Sequence, residues 1–258
     1  MRGYPDRYVR RYTRGACRYT IAALAGCALW AQTAAAPNRA PVLVELFTSE
    51  GCSDCPPADH MLEQLDPRVV VLSEHVDYWD HQGWKDPYSS HENTLRQEAY
   101  AQRFHTDGPY TPQMVVDGVA QFVGSDAQRA VAEITKATER PKALVRVERS
   151  SAGVQVDVDG SPDAAGVFLA LAQDSGTSQV KAGENKGRQL HHVAMACSLR
   201  KIGSVKRGAS FSQMVPLPAS AAEQRVIVFV QESDTGPVLG AAESPATCGA
   251  ANPGCSRL

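Results

Sequence analysis

Several features that would settle a function quickly are missing from this sequence. No apolar run is long enough to cross a bilayer as a permanent helix, so no membrane-spanning helix is expected. Neither sign of charge dominates: 26 Lys and Arg stand against 28 Asp and Glu, for a formal net charge of −2. That balance gives no electrostatic case for a nucleic-acid partner. There is no internal repeat and no low-complexity tract. Cysteine is scarce, with 7 in 258 residues, and the single Cys-x-x-Cys has no second copy to complete a four-cysteine zinc site. A chain of this length that is 43% hydrophobic has room for one large or two small cores.

What is present is concentrated between Pro41 and Pro57, PVLVELFTSEGCSDCPP. An apolar strand (Val42 to Phe47) runs through a short turn into Cys52 and Cys55, which open a helix. A strand feeding a Cys-x-x-Cys helix reads as a thioredoxin-like redox unit. About sixty residues later, Thr111-Pro112 precedes another buried-looking strand, where that fold places a cis-proline against the two sulfurs. The two signals in this order are far more specific than either alone.

The first 36 residues read as an export signal: arginines from Arg2 to Arg18, an apolar stretch from Tyr19 to Trp30, then small residues at Ala34 to Ala36. Leu24-Ala25-Gly26-Cys27 also fits a lipoprotein signal, as the minority alternative. A periplasmic or secreted protein is therefore expected, and in an oxidising compartment close cysteine pairs form disulfides. Cys52 with Cys55 is one such pair. Cys248 with Cys255 is the other, expected as a structural disulfide. Cys197 is left over and reads as a buried small hydrophobe.

Between Pro37 and Arg140 the pattern gives strands at Val42–Phe47, Val69–Val76, Gln113–Val116 and Val119–Val123. Helices are expected over Ala58–Leu65, Ser89–Phe104 and from Ser125 to about Thr138. Asp117-Gly118 between the last two strands is a two-residue hairpin signal. The order βαβ–αββα is the minimal thioredoxin fold, in an α/β class. From residue 141 to 245 short β-rich segments recur between turn residues, which predicts a separate β-rich, sandwich-like domain. Residues 246 to 258 form a tail holding the last two cysteines.

The chemistry follows from these placements. Cys52, at or just before the helix N-terminus, is the expected exposed nucleophile, because unpaired N–H groups and the helix dipole there favour a thiolate. Cys55 is the expected resolving thiol. Glu45, a carboxylate in an apolar strand, is either a buried acid that accepts a proton from the resolving cysteine or a solvent-facing strand-end residue. Pro112 presents the substrate strand, with Thr111, Tyr110 and Trp79 beside it. Tyr78, Trp79, Trp84 and Tyr88 either wall a groove or pack under the second domain. His75 and His81 either approach the sulfurs or are structural, and His191-His192 carries little meaning alone.

The words VELFTSEGCSDCPPAD, HVDYWDHQGWKDP, YTPQMVVDG with FVGSD, and GENKGRQLHH cover most of the chain beyond the expected export signal. As a set they resemble an uncharacterised, secreted thioredoxin-like family of proteobacteria, catalogued as a domain of unknown function. The resemblance implies a thioredoxin fold with an appended β domain and brings no demonstrated activity. It aligns Cys52 and Cys55 with the superfamily's nucleophile and resolving thiol. Glu45 matches thioredoxin's buried acid only if the following turn carries one extra residue.

The reading is an exported thiol–disulfide oxidoreductase acting on protein or small thiol and disulfide substrates, with no cofactor. A rival is a metal-binding protein, such as a copper-delivery factor, using Cys52 and Cys55 with His75 or His81, since thiolates suit copper(I). A third reading is a binding module whose Cys-x-x-Cys is only a staple.

Overall fold

The run from Val42 to Phe47 forms the heart of β1 (Ala40–Thr48) in the computed structural model, which describes residues 40–246. The expected export signal with Cys27, and the tail with Cys248 and Cys255, lie outside those residues. β1 pairs in parallel with β2 (Val69–His75), and antiparallel with β3 (Gln113–Val116), which continues into β4 (Ala120–Val123). Every residue of β2 is buried, as its near-continuous apolar run requires of a strand covered on both faces.

Three helices flank these strands. α1 (Pro56–Leu65) carries its two prolines in the first turn, where the missing N–H groups have no helical partner to lose. α2 (His91–Phe104) is capped by the Ser90 hydroxyl, which accepts from the Asn93 N–H. α3 (Ala127–Thr138) starts two residues later than expected and is capped by Asp126, accepting from the Arg129 N–H at 3.0 Å. Strand alternation divides the contacts. Val42, Val44 and Leu46 of β1 share a core with Ala58 and Leu62 of α1 and with Ala130 and Ala137 of α3. Phe47 and Val115 instead meet Tyr100 of α2.

Beyond residue 140 come β5 (Leu144–Ser150), β6 (Gly153–Asp159), β7 (Ala165–Gln179), β8 (Gln189–Val205), β9 (Phe211–Val215), β10 (Gln224–Gln231) and β11 (Val238–Ser244). The separate domain expected over 141–245 is not what forms. β8 lies beside β2, in parallel, with Ser73 opposite Met195. One eight-stranded sheet therefore runs β11-β10-β7-β8-β2-β1-β3-β4 across the expected boundary, and the described residues belong to one compact unit. The physical reason is the open edge of β2, which left unpaired would present bare N–H and C=O groups. A sandwich does exist within this arrangement. β5, β6 and β9 make a small second sheet, whose Val154, Val156 and Val158 pack against Val167, Leu169, Val226 and Val228 of the large one. The opposite face of the same strands, through Phe168, Ala170, Ile227 and Phe229, joins Leu43, Val70 and Leu72 of β1 and β2. Val238 of β11 packs there too, so the sheet coils until its far edge reaches β1.

Cys197 is half-buried and disulfide-bonded, not the unpaired small hydrophobe expected. Among the described residues the other two cysteines bond each other.

The hairpin signal at Asp117-Gly118 is realised as a turn with φ of 49° and 61°. Asp117 tolerates the left-handed conformation because its buried carboxylate accepts from the Leu43 N–H at 2.9 Å and pairs with Lys142. A Cβ at Gly118 would stand 2.1 Å from the Gly236 carbonyl oxygen. Gly118→Ala is expected to lower unfolding free energy by more than about 2 kcal/mol, from left-handed strain plus the backbone clash. Urea denaturation checks this.

Candidate functional site

Cys52 and Cys55 are joined by a disulfide, with Cα atoms 5.4 Å apart. Cys55 is the N-cap of α1, so Cys52 stands in the turn before the helix rather than at its first residue. Neither sulfur-bearing residue is open to solvent: Cys52 is 2% exposed and Cys55 0%. This corrects the expectation of an exposed Cys52, and the cause is the tip of the β7–β8 hairpin. The fully buried Asn185 donates from Nδ2 to the carbonyl oxygens of Glu50 (2.9 Å) and Cys52 (2.8 Å). Ser53, between the cysteines, donates its N–H to Glu184 Oε2 at 3.1 Å. A surface groove remains between Ser53, Pro56 and Pro57 on one side and Arg188, Gln189 and Leu190 on the other.

The proline loop is tied through Trp79 to the turn that precedes Cys52. Thr111-Pro112 is a cis peptide, as expected. Gly124 donates its N–H to the Pro112 oxygen at 2.8 Å and lies tightly between Pro112, Leu46 and Ala58 of α1. Trp79 bridges the two segments. Its indole N–H donates to Thr111 Oγ1 at 2.9 Å, and its Cβ packs so closely on Gly51 that a side chain there would approach within 2.9 Å. Trp79 and Thr111 are thus brought together as expected, bonded to one another. Tyr110 is held by its neighbours: its hydroxyl pairs with Gln121, and its carbonyl accepts from Gln97 Nε2 at 2.7 Å.

Glu45 lies on the wrong face for the role considered for it. It shares the β1 face of Phe47, toward α2, whereas α1 covers the face of Val44 and Leu46. Its carboxylate is fully engaged by Arg96 Nε at 2.7 Å and Tyr100 Oη at 2.6 Å. Glu74 lies beside the same arginine, 3.4 Å from its Nε. Burial, and then the neighbouring Glu45 carboxylate, push Glu74 well above the ordinary range. One arginine therefore serves two interior carboxyl groups.

Behind the disulfide lies an ionisable cluster that the sequence pattern did not assemble. It contains Glu50, Asp59, His75, Asp86 and His192, all buried. The His75 and His192 rings meet edge to face at 4.6 Å, and Tyr88 packs against both. His75 Nδ1 is 2.7 Å from Asp86 Oδ2. Burial alone would pull His75 down, but Asp86, together with Asp59 and Glu50, more than offsets it and the imidazole ends above its ordinary value. Burial likewise works against the Asp86 carboxylate, yet His75 and the N–H groups of Glu50 and Tyr88 leave it below the usual range. His192 Nε2 lies 3.3 Å from Glu50 Oε1, and its Nδ1 3.7 Å from Asp59 Oδ2. Trp84 closes the side by donating to Glu50 Oε2 at 2.7 Å. Of the two histidines weighed as partners for the sulfurs, His75 is turned to Asp86 and His81 is exposed. Among the described residues no group of three His, Cys, Asp or Glu is placed to hold a metal ion. The one sequence signal that pointed here was the set of matched words, since VELFTSEGCSDCPPAD, HVDYWDHQGWKDP and GENKGRQLHH all converge on this cluster.

The family model described as "Protein of unknown function (DUF1223)" matches residues 43–231, and the chain belongs to that family. The crystal structure of protein AGR_C_4864 from Agrobacterium tumefaciens is similar, at 27% identity and a TM-score of 0.70. That likeness covers 83% of this chain and 98% of that one. HBP35 of Porphyromonas gingivalis shares the fold at 14% identity and a TM-score of 0.54, over 83% of this chain and 80% of that one. No curated protein matches.

Asp86→Ala strips partners from His75 and from two backbone N–H groups, and is expected to cost about 3–5 kcal/mol. The pH dependence has a definite sign. The Asp86 contribution is present above its unfolded value of 3.8 and lost as pH falls through the lowered folded value. The His75 contribution is complete below its unfolded value of 6.5 and lost as pH rises through the raised folded value. Denaturant unfolding of the wild type should therefore show greatest benefit from the pair between these limits, and the variant should flatten the profile. Asn185→Ala removes the Nδ2 donor of the Glu50 carbonyl and one of two donors of the Cys52 carbonyl. It is expected to cost about 1–3 kcal/mol and to speed reduction of the Cys52–Cys55 bond by dithiothreitol, read by mass shift after alkylation.

Proposed function

We propose that this DUF1223 chain is an exported thiol–disulfide oxidoreductase of thioredoxin-like build. Cys52 is the sulfur that exchanges with substrate, and Cys55 is the resolving sulfur. The observation that carries the reading is the disulfide at the start of α1, with Trp79 tying the turn before it to Thr111 ahead of cis Pro112, and Asp59 of the same helix joined to a buried ionisable cluster. A disulfide serving only as a staple has no need of that surrounding chemistry. The element order through α3 supports that build, and a pair of this kind persists oxidised in an exporting compartment. Substrates are protein or small-molecule thiols and disulfides, entering along the groove beside Pro56 and Pro57.

In the direction that reduces the pair, a substrate thiolate attacks Cys52 Sγ. The bond between the two cysteines breaks, a mixed disulfide forms at Cys52, and Cys55 departs as a thiolate. A second substrate thiolate then attacks the substrate sulfur of the mixed disulfide and releases Cys52 as a thiolate. The substrate loses two electrons and the pair gains them; the reverse sequence uses the same atoms.

Trapping tests this. Cys55→Ala, expressed with its leader in an exporting host, should accumulate covalent adducts that reductant dissolves, because nothing remains to resolve the mixed disulfide. Cys52→Ala should accumulate at least about tenfold fewer. The wild-type pair should equilibrate with glutathione or dithiothreitol buffers at roughly −120 to −270 mV, the span of known redox catalysts. A clean monomer from Cys55→Ala, together with stoichiometric copper(I) on the reduced wild type, would overturn the reading.

A further inference from the structure

The proposed exchange leaves one group without a partner in the account, the proton that Cys55 needs when it departs. Behind the disulfide, both carboxylate oxygens of Asp59, Oε1 of Glu50 and both ring nitrogens of His192 are buried and lack a hydrogen bond. Acid and imidazole atoms withdrawn from water without well-formed hydrogen bonds are costly, unless protons move among them. Their placement is specific. Asp59 follows Cys55 by one helical turn, and its N–H donates to the Cys55 carbonyl at 3.1 Å. Residues at i and i+4 share a helix face, and side chains lean back toward the N-terminus. The Asp59 carboxyl therefore belongs over the turn that Cys55 caps. His192 arrives from β8, in the half of the chain beyond residue 140.

We propose that Asp59 and His192, backed by Glu50, are a buried proton-exchanging pair for Cys55, and that the β7–β8 hairpin thereby completes the redox site. The inference rests on the oxidoreductase reading above. When substrate thiolate attacks Cys52 Sγ, the sulfur–sulfur bond breaks and its electron pair leaves on Cys55. The Asp59 carboxyl gives its proton to Cys55 Sγ, and the resulting carboxylate is held against His192. In the reverse direction the Cys55 thiol returns that proton to Asp59 as it re-forms the bond. The substrate thiols supply the electrons. Burial raises the Asp59 carboxyl from its ordinary value, opposed by the charges of His192 and His75 and by the nearby Thr48 hydroxyl, with Asp86 acting in the same sense as burial. These groups face Asp59 from β8, β2, β1 and the β2–α2 loop, and none is a lysine or arginine.

The test uses the oxidised full chain and dithiothreitol across pH 5 to 9, with the rate divided by the reductant's thiolate concentration. Wild type should show an inflection, the corrected rate falling as Asp59 loses its proton. Asp59→Asn should remove the inflection and slow reduction on its low-pH side by at least about tenfold, the lower reach of a lost general acid. His192→Gln removes a charge that lowers Asp59 and should move the inflection to higher pH. If Asp59→Asn does not fold, carboxyl carbon resonances of labelled wild type serve instead, and Asp59 should titrate at different midpoints in the oxidised and reduced forms. An inflection unchanged in Asp59→Asn, identical Asp59 midpoints in the two forms, or a stoichiometric metal lost on His192→Gln overturns the inference while leaving adduct trapping intact. Absence of trapped adducts in Cys55→Ala sinks the oxidoreductase reading and this inference with it.

Discussion

The seam between β2 and β8 is the constraint on which the remaining architecture depends. The backbone ladder there is thin, with a single paired position, Ser73 opposite Met195, where strands from distant parts of the chain meet in parallel. Side chains must therefore hold the seam. Arg225 of β10 reaches the end of α1, where Asp66 would otherwise place a negative charge against the helix's negative pole, and it also engages Asp174. Arg96 of α2 spans the opposite side, bonding Glu45 as well as the Gln231 side chain and the Asp234 carbonyl. Apolar continuity does the rest: Val193 and Ala194 of β8 lie in the same core as Leu62 and Val71. Joining the halves this way carries the β7–β8 hairpin far enough to lay Asn185 over the disulfide and His192 behind it.

The first half of the chain was legible because its signals are local. A continuous apolar β2, a serine before α2, prolines inside the first turn of α1 and an Asp-Gly turn each specify structure within a few residues. β11, Val238–Ser244, went unread because VLGAAES lacks the β-branched density of a strand; pairing with β10 and packing on Leu43 decide its state instead. The separate second domain was a misreading of the same kind. Alternation in β7 and β10 reveals two buried faces but not which neighbours bury them, and the partner of β8 lies more than a hundred residues away. Cys197 was misread for a related reason: no cysteine stands near it in sequence, and its bond is set by what the fold brings to β8.

The site divides along the same line. Cys52, Cys55 and Pro112 were readable from spacing. Asp59 looked like an ordinary acid in a first helical turn, and His192 like half of an uninformative pair, because burial and convergence are properties of the fold. Glu45 was drawn to attention by sitting in an apolar strand, and that signal was sound: it is fully buried. Its partner was the unread part. An arginine on α2, 51 positions away, turns a candidate proton carrier into a structural ion pair.

The length of the β7–β8 hairpin has a consequence for dissection of the molecule. The same two strands that reach the disulfide at one end supply the middle of the large sheet at the other. Cutting the chain near residue 140 would not release a minimal catalytic module. It would bare the edge of β2 and the apolar face of Leu43, Val70 and Leu72 to solvent, a flat and sticky strand border of the sort that templates aggregation. Shortening only the tip would open the cysteines while the sheet stayed whole. Access to the sulfurs and cohesion of the core are therefore separable by where along one hairpin the chain is altered, so the two properties can drift independently under mutation despite sharing the same pair of strands.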